Sequence, residues 1–316
     1  MADSSVESLS SSARLGQARG LIKVDDSLYV ADGQQNCIWA IDRQGKISRR
    51  IGRSGRGPGE FGDISGIMKN SDHIFTVDIS NARIQMFDLN FNLQTIFNHV
   101  ISGNPFTSGK MMSVTDSLLF LSEGINDFDQ LITVYQAAPP FDSLTSFHPR
   151  LIPPGMQPAA YNYVSIETNS RGDIAVTYTG LPYIFLYDND YELQHVVYVG
   201  LPKEDLPDNP PIKPVDKPAR TVAEAIGVTH LIGKPLLKDD GSLYFSKGSK
   251  LYFIRHQGNN KYQAEWIKYY TYANPETHKE KSSGIMISNF IIDEKENTVY
   301  LGSFFEENIY RFGLSK

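Results

Sequence analysis

Gly57, Gly59 and Gly62 in "IGRSGRGPGEFGD" spell G-x-G-x-x-G, the pattern of a loop that seats a pyrophosphate against a helix N-terminus. That chemistry needs a strand before the loop and a helix after it. The next run, "ISGIMKNSDHIFTVD", is β-rich, holds a polar turn and has no apolar residues at helical spacing. The glycines are therefore read as a sharp turn between two sheets, with Pro58 stiffening it and Phe61 inserting between the neighbouring sheets. A second candidate chemistry lies around "GINDFDQ", where Glu123, Asp127 and Asp129 offer the oxygen donors that calcium takes, without the spacing of an EF-hand loop. The seven histidines include no pair at metal-ligand spacing, and no G-x-S-x-G elbow marks a nucleophile.

Composition narrows the classes further. With a net charge of -6, a pI of about 5.7 and no run of five or more Lys and Arg, the chain lacks the electrostatic footprint of a nucleic-acid or anionic-lipid binder. "RRIGRSGR" is read as a solvated loop. The single cysteine, Cys37, precludes an intramolecular disulfide and a thiolate cluster, and its setting in "NCIWAID" makes it a small core residue. No eighteen apolar residues run together, so no transmembrane segment is expected, and "MADSSVESLSSSARLG" does not read as an export signal. A mature chain with its signal removed would read the same way. A hydrophobic fraction of 41%, with 17 Phe and 17 Tyr spread along the chain, is enough for a large core.

What must position any site is a repeat. "DSLYVADGQQNCIWAIDRQGKISRRIG" and "DHIFTVDISNARIQMFDLNFNLQTIF" share one plan at an offset of 46 residues, in which two strands ending in Asp are followed by a third strand. Taking Leu28, Ile74, Leu119, Ile174, Leu243 and Val299 as equivalent gives six units. Four short strands per unit, at this period, predict an all-β six-bladed propeller. The blades are expected at roughly 18–63, 64–110, 111–163, 164–209, 228–275 and 286–316. The last unit ends after its third strand, so an N-terminal segment within 5–15 is expected to supply the outer strand and close the ring. Two stretches break the period and read as insertions: the proline-rich 202–227, a candidate lid, and 137–163, which carries Phe141, Phe147 and Tyr161.

"GRGPGEF" followed by "ISGIMKNSDHIFTVDISNARIQMFDLNFNL" resembles an NHL-type repeat, with Gly57, Pro58, Gly59 and Phe61 in the linker and Asp78, Asn81, Arg83, Ile84, Phe87 and Asp88 in the strands. The match is specific in the first two units. It is similar to a broad group of bacterial six-bladed propellers, many of them exported, whose activity is generally unassigned. The resemblance thus implies a cell-envelope or secreted location in preference to a cytoplasmic one.

In such a propeller the channel mouth is lined by the starts of the inner strands and by the loops between second and third strands. Arg19, Asp63, Asn162, His230 and Asn289 fall at strand starts and Asp127 in a loop, and these are the candidate ligand-binding residues. Asp32 and Asp78 are read as acceptors of backbone N–H groups in their turns, and Arg83 as the partner of a repeat carboxylate. The functional expectation is a monomeric, non-enzymatic propeller that binds a small molecule, glycan or protein through the channel mouth and the two insertions. The alternative is a calcium-assisted hydrolase or lactonase of the kind found on related propellers, which would need three or more oxygen ligands converging on the axis, with Glu123, Asp127 and Asp129 as the metal candidates.

Overall fold

The computed structural model describes residues 7–8, 15–101, 111–123, 130–149, 163–178, 183–199, 235–258, 261–269, 271–273, 280–284, 287–303 and 308–314. Two compact units are present, one of residues 1–100, 248–251 and 266–316, the other of residues 101–247 and 252–265. No helix occurs among the described residues, and none there is long and apolar enough to cross a membrane.

In the first unit, short apolar runs bounded by turn residues form antiparallel four-stranded sheets in sequence order. Blade one is β2 (Ala18–Val24), β3 (Ser27–Asp32), β4 (Cys37–Ile41) and β5 (Ile47–Ile51), and blade two is β6 (Ile64–Lys69), β7 (His73–Asp78), β8 (Arg83–Asp88) and β9 (Leu93–Asn98). Along β2 burial alternates, with Ala18, Gly20, Ile22 and Val24 inside, whereas all five residues of β4 are buried because both faces of the strand are covered. Strand β2 packs against β6 on one side and against β24 (Asn289–Asp293) on the other. Blade six continues from β24 through β25 (Thr298–Gly302) and β26 (Ile309–Gly313), and its fourth strand is β1 (Glu7–Ser8), with Glu7 opposite Arg311 and Ser8 opposite Tyr310. The N-terminus therefore closes the last blade. A two-stranded hairpin of β22 (Thr271–Ala273) and β23 (Glu280–Gly284) has no counterpart in the sequence repeat.

The second unit holds blade three, with β10 (Met112–Val114), β11 (Leu118–Ser122), β12 (Gln130–Gln136) and β13 (Ser143–Pro149), and blade four, with β14 (Val164–Thr168), β15 (Ile174–Tyr178), β16 (Tyr183–Tyr187) and β17 (Leu193–Tyr198). Most of blade five also belongs to it: β18 (Leu236–Leu237), β19 (Leu243–Lys247), β20 (Lys250–His256) and β21 (Tyr262–Tyr269). Contrary to the expectation from sequence, the stretch 137–163 is not wholly an insertion, because Ser143–Pro149 pairs with β12 as the outer strand of blade three. The insertion 202–227 lies outside the described residues.

The six equivalent positions Leu28, Ile74, Leu119, Ile174, Leu243 and Val299 all fall in second strands, and all are at most 4% exposed. The cores lie between adjacent blades. Phe61, fully buried, joins Ile22, Ile38 and Ile51 of blade one to Ile64, Ile67 and Phe87 of blade two. Leu28, Val30 and Trp39 of blade one meet Tyr300 and Ile309 of blade six. In the second unit an aromatic-rich cluster joins blades three and four. The turns from third to fourth strand reuse one device: Asp42, Asp88 and Asp188 each accept N–H bonds from the residues two and four ahead.

Removing residues 1–10 strips β1 from β26 and exposes an unpaired strand edge. The expected result is a lower melting temperature and aggregation on size-exclusion chromatography; an unchanged melt would show that β1 does not close the blade.

Candidate functional site

The strand-start candidates Arg19 and Asp63 stand beside two buried carboxylates. Asp32, at the end of β3, accepts N–H bonds from Gly16 (2.8 Å), Gln17 (3.2 Å), Gln34 and Gln35 (both 3.0 Å), and from the indole of Trp39 (3.1 Å). Asp78, at the end of β7, accepts from the backbone of Gly62 and Asp63 (both 3.0 Å), from Asn81 (2.7 Å) and from Arg83 Nε (3.2 Å). Both are 0% exposed, a position that a carboxylate tolerates only when its oxygens are saturated with donors. Gly16 and Gln17 stand 46 residues before Gly62 and Asp63, so the two blades repeat one contact: the last residue of the second strand pins the chain entering the first.

The glycine motif belongs to this framework. Arg83 sends Nη1 to the carbonyl of Arg56 (2.9 Å) and Nη2 to the carbonyls of Gly57 (2.9 Å) and Glu60 (2.8 Å). Gln85 donates to the Glu60 carbonyl and accepts from the Gly59 N–H, while the Glu60 carboxylate caps the Gly57 N–H and pairs with Arg53. The bond from the Gly57 N–H, reinforced by the Arg53 guanidinium, holds the Glu60 carboxyl below its usual range. Gly59 adopts φ +73°, in the left-handed region, and strand β6 comes directly after the loop. The loop is a collar around a guanidinium.

On this base stands a polar ledge formed by the starts of β24, β2 and β6. Arg19 Nη1 donates to Asp63 Oδ1 at 2.9 Å and Nη2 to Gln17 Oε1 at 3.2 Å, while its Nε is buried without a hydrogen-bond partner. The Arg19 side chain is 12% exposed and that of Asp63 is 32%, so the carboxylate is the more accessible partner. The guanidinium stem lies over Gly33, where an added Cβ would sit 2.2 Å from Arg19 Nε. Asn289 is also on the ledge. Its amide donates to the Ala18 carbonyl at 2.9 Å, so it ties β24 to β2.

Of the residues expected at the site, Arg19 and Asp63 are thus brought together and Asn289 adjoins them through the strand that carries Arg19. Asn162, His230 and Asp127 lie outside the described residues, as does Asp129. Glu123 is 2% exposed and accepts from the Tyr135 hydroxyl at 3.1 Å. Among the described residues no group of three or more His, Cys, Asp or Glu could hold a metal ion, so no step through calcium is derived. Gln17 and Gly33 escaped the sequence reading, although an Asp-Gly pair closing an apolar strand is a usable signal for a backbone that another side chain must cross.

Residues 10–144 match the family model described as a 6-bladed beta-propeller. The fold is a six-bladed β-propeller. Solved structures agree over nearly the whole chain. A member of the DUF4221 family from Bacteroides vulgatus is 12% identical with a TM-score of 0.63, over 98% of this chain and 95% of that one. A "Putative exported protein" from Bacteroides fragilis is 11% identical with a TM-score of 0.59, over 98% and 95%. A catalytically inactive virginiamycin B lyase from Staphylococcus aureus, with quinupristin, is 10% identical with a TM-score of 0.58, over 98% and 99%. At these identities the likeness is one of fold alone. No curated protein matches the sequence.

Two substitutions separate framework from ledge. Arg83→Met removes the guanidinium from buried Asp78 and from three linker carbonyls and is expected to cost about 3–5 kcal/mol in urea denaturation; a loss below about 1 kcal/mol would contradict the collar. Gly33→Ala forces the Arg19 side chain aside. Its expected signature is a displaced Arg19 Nε–H resonance in NMR with the sheet amides unchanged, and an unmoved resonance would contradict the packing.

Proposed function

We propose that this propeller is a binding protein that recognises a small polar ligand, a hydroxyl-rich molecule such as a glycan, on the ledge of blades six, one and two. The observation that carries the reading is the Arg19–Asp63 pair. Its members are 2.9 Å apart, oriented by Gln17 and Gly33, and leave one buried guanidinium N–H without a partner. A fixed guanidinium beside a more accessible carboxylate presents donors and acceptors together with no net charge, which suits vicinal hydroxyls better than a free anion. Because both groups are held by the backbone framework below them, little ordering cost falls on binding. The neighbour named as exported, together with the resemblance to exported propellers, supports a cell-envelope or secreted location.

The test is a thermal-shift screen with a panel of oligosaccharides and small polyols, followed by calorimetry on any hit with Arg19→Met and Asp63→Asn. Asp63 contacts Asp78 only through its backbone N–H, so the side-chain change leaves that bond in place. Affinity is expected to fall by about tenfold or more in each variant with the melt nearly unchanged. Equal binding by both variants, or no hit in the panel, would overturn the reading.

A further inference from the structure

A cavity of about 430 Å³ opens in the second unit between blades three and four. Its wall is built on an unusual backbone position. In blade one the fourth strand ends at Ile51, which pairs with Ile38, and the next residue is Gly52 at φ +73°. A Cβ there would lie 2.4 Å from the Phe61 ring, so glycine leaves room for the linker phenylalanine. In blade three the matching residue of the strand is Phe147, which pairs with Ile132, and the residue after it is His148 at φ +72°. Here a bulky residue takes the left-handed conformation, an arrangement that persists only when its surroundings hold it.

Those surroundings are rings. The imidazole lies 4.4 Å from the Tyr178 ring, 5.3 Å from Phe185 and 5.5 Å from Tyr187, centre to centre. Nδ1 pairs with the Tyr187 hydroxyl, and Tyr178 donates to the Pro149 carbonyl. Nε2 is buried with no hydrogen-bond partner, on a residue that is 2% exposed. Burial pushes the His148 pKa down to about 3, so the ring carries no charge near neutrality. Tyr191, held at φ +65° in the Asp188 turn, stacks on Phe147 at 5.2 Å. Burial raises its phenol pKa, and the nearby Asp190 carboxylate raises it further.

The lining therefore has one electrostatic sense. Among the described residues the lining holds aromatic rings, the acidic residues Asp190 and Glu192 and a neutral histidine, with no lysine or arginine. Aromatic faces and carboxylates both attract cations, and a volume of this size suits a ligand of small-metabolite dimensions. We propose that this cavity binds a small organic ammonium ion, its charge met by Asp190 and Glu192 and its apolar body by the rings of Phe147, Tyr187 and Tyr191. The site is separate from the ledge on the first unit and does not depend on it.

Calorimetric titration of the full chain with phenethylammonium chloride, with 2-phenylethanol as the uncharged control, tests the proposal. The ammonium is expected to bind at least about tenfold more tightly than the alcohol and to weaken as salt is raised. The double variant Asp190→Asn with Glu192→Gln should lose about tenfold in affinity with an unchanged melt, since the turn is held by the backbone N–H groups of these residues and not by their carboxylates. Chemical-shift changes on adding the ammonium should centre on Tyr191 and His148. Equal binding of alcohol and ammonium, full binding by the double variant, or no binding of the ammonium at millimolar concentration would each overturn it.

Discussion

A carboxylate buried at the end of a second strand, gathering the backbone N–H groups that lead into the first strand of its own blade, is the contact on which the described site depends. Asp32 does this for Gly16 and Gln17, and Asp78 for Gly62 and Asp63. Removing a charge from water is costly, and the cost is offset here because each carboxylate accepts several bonds at once, some from backbone that would itself be unsatisfied. The geometry is a direct consequence. Once residues 16–17 and 62–63 are pinned, Arg19 and Asp63 emerge from neighbouring strand starts within hydrogen-bond reach, and the ledge is as rigid as the sheets beneath it.

The same backbone plan serves different ends at different blade junctions. Between blades one and two, Gly52 in the left-handed region makes way for Phe61, and the junction is filled by apolar side chains. Between blades three and four, His148 holds the matching conformation, and rings and hydroxyls beside an apolar core line an open cavity. A propeller can diversify in this way because each blade needs only its neighbours for burial, so one junction can carry a pocket beside its core without disturbing the next.

The sequence made the repeat legible for a physical reason. A second strand is covered on both faces, so its apolar residues recur at every unit, and Leu28 through Val299 are buried in all six. The pairing of Arg83 with Asp78 could be read from residue types, whereas its three bonds to linker carbonyls could not, because a carbonyl leaves no mark on residue identity. Asn289 was placed correctly at a strand start, yet its amide is used to join β24 to β2. His148 was hidden by proline-rich surroundings that read as an insertion, and because a histidine signals a left-handed conformation far more weakly than a glycine does. The G-x-G-x-x-G of residues 57–62 was readable as a turn because Ile64–Lys69, directly after it, is a strand where a phosphate loop would require a helix.

Amide hydrogen exchange at Gly16, Gln17, Gly62 and Asp63 tests the central contact most directly. None of these residues lies within a strand, yet each donates its N–H to a buried carboxylate. The account predicts protection comparable to that of the amides at the centres of β3 and β7, with Asp32→Ala releasing only the first pair and Asp78→Ala only the second. Exchange at these four amides as fast as in the exposed turns would contradict it.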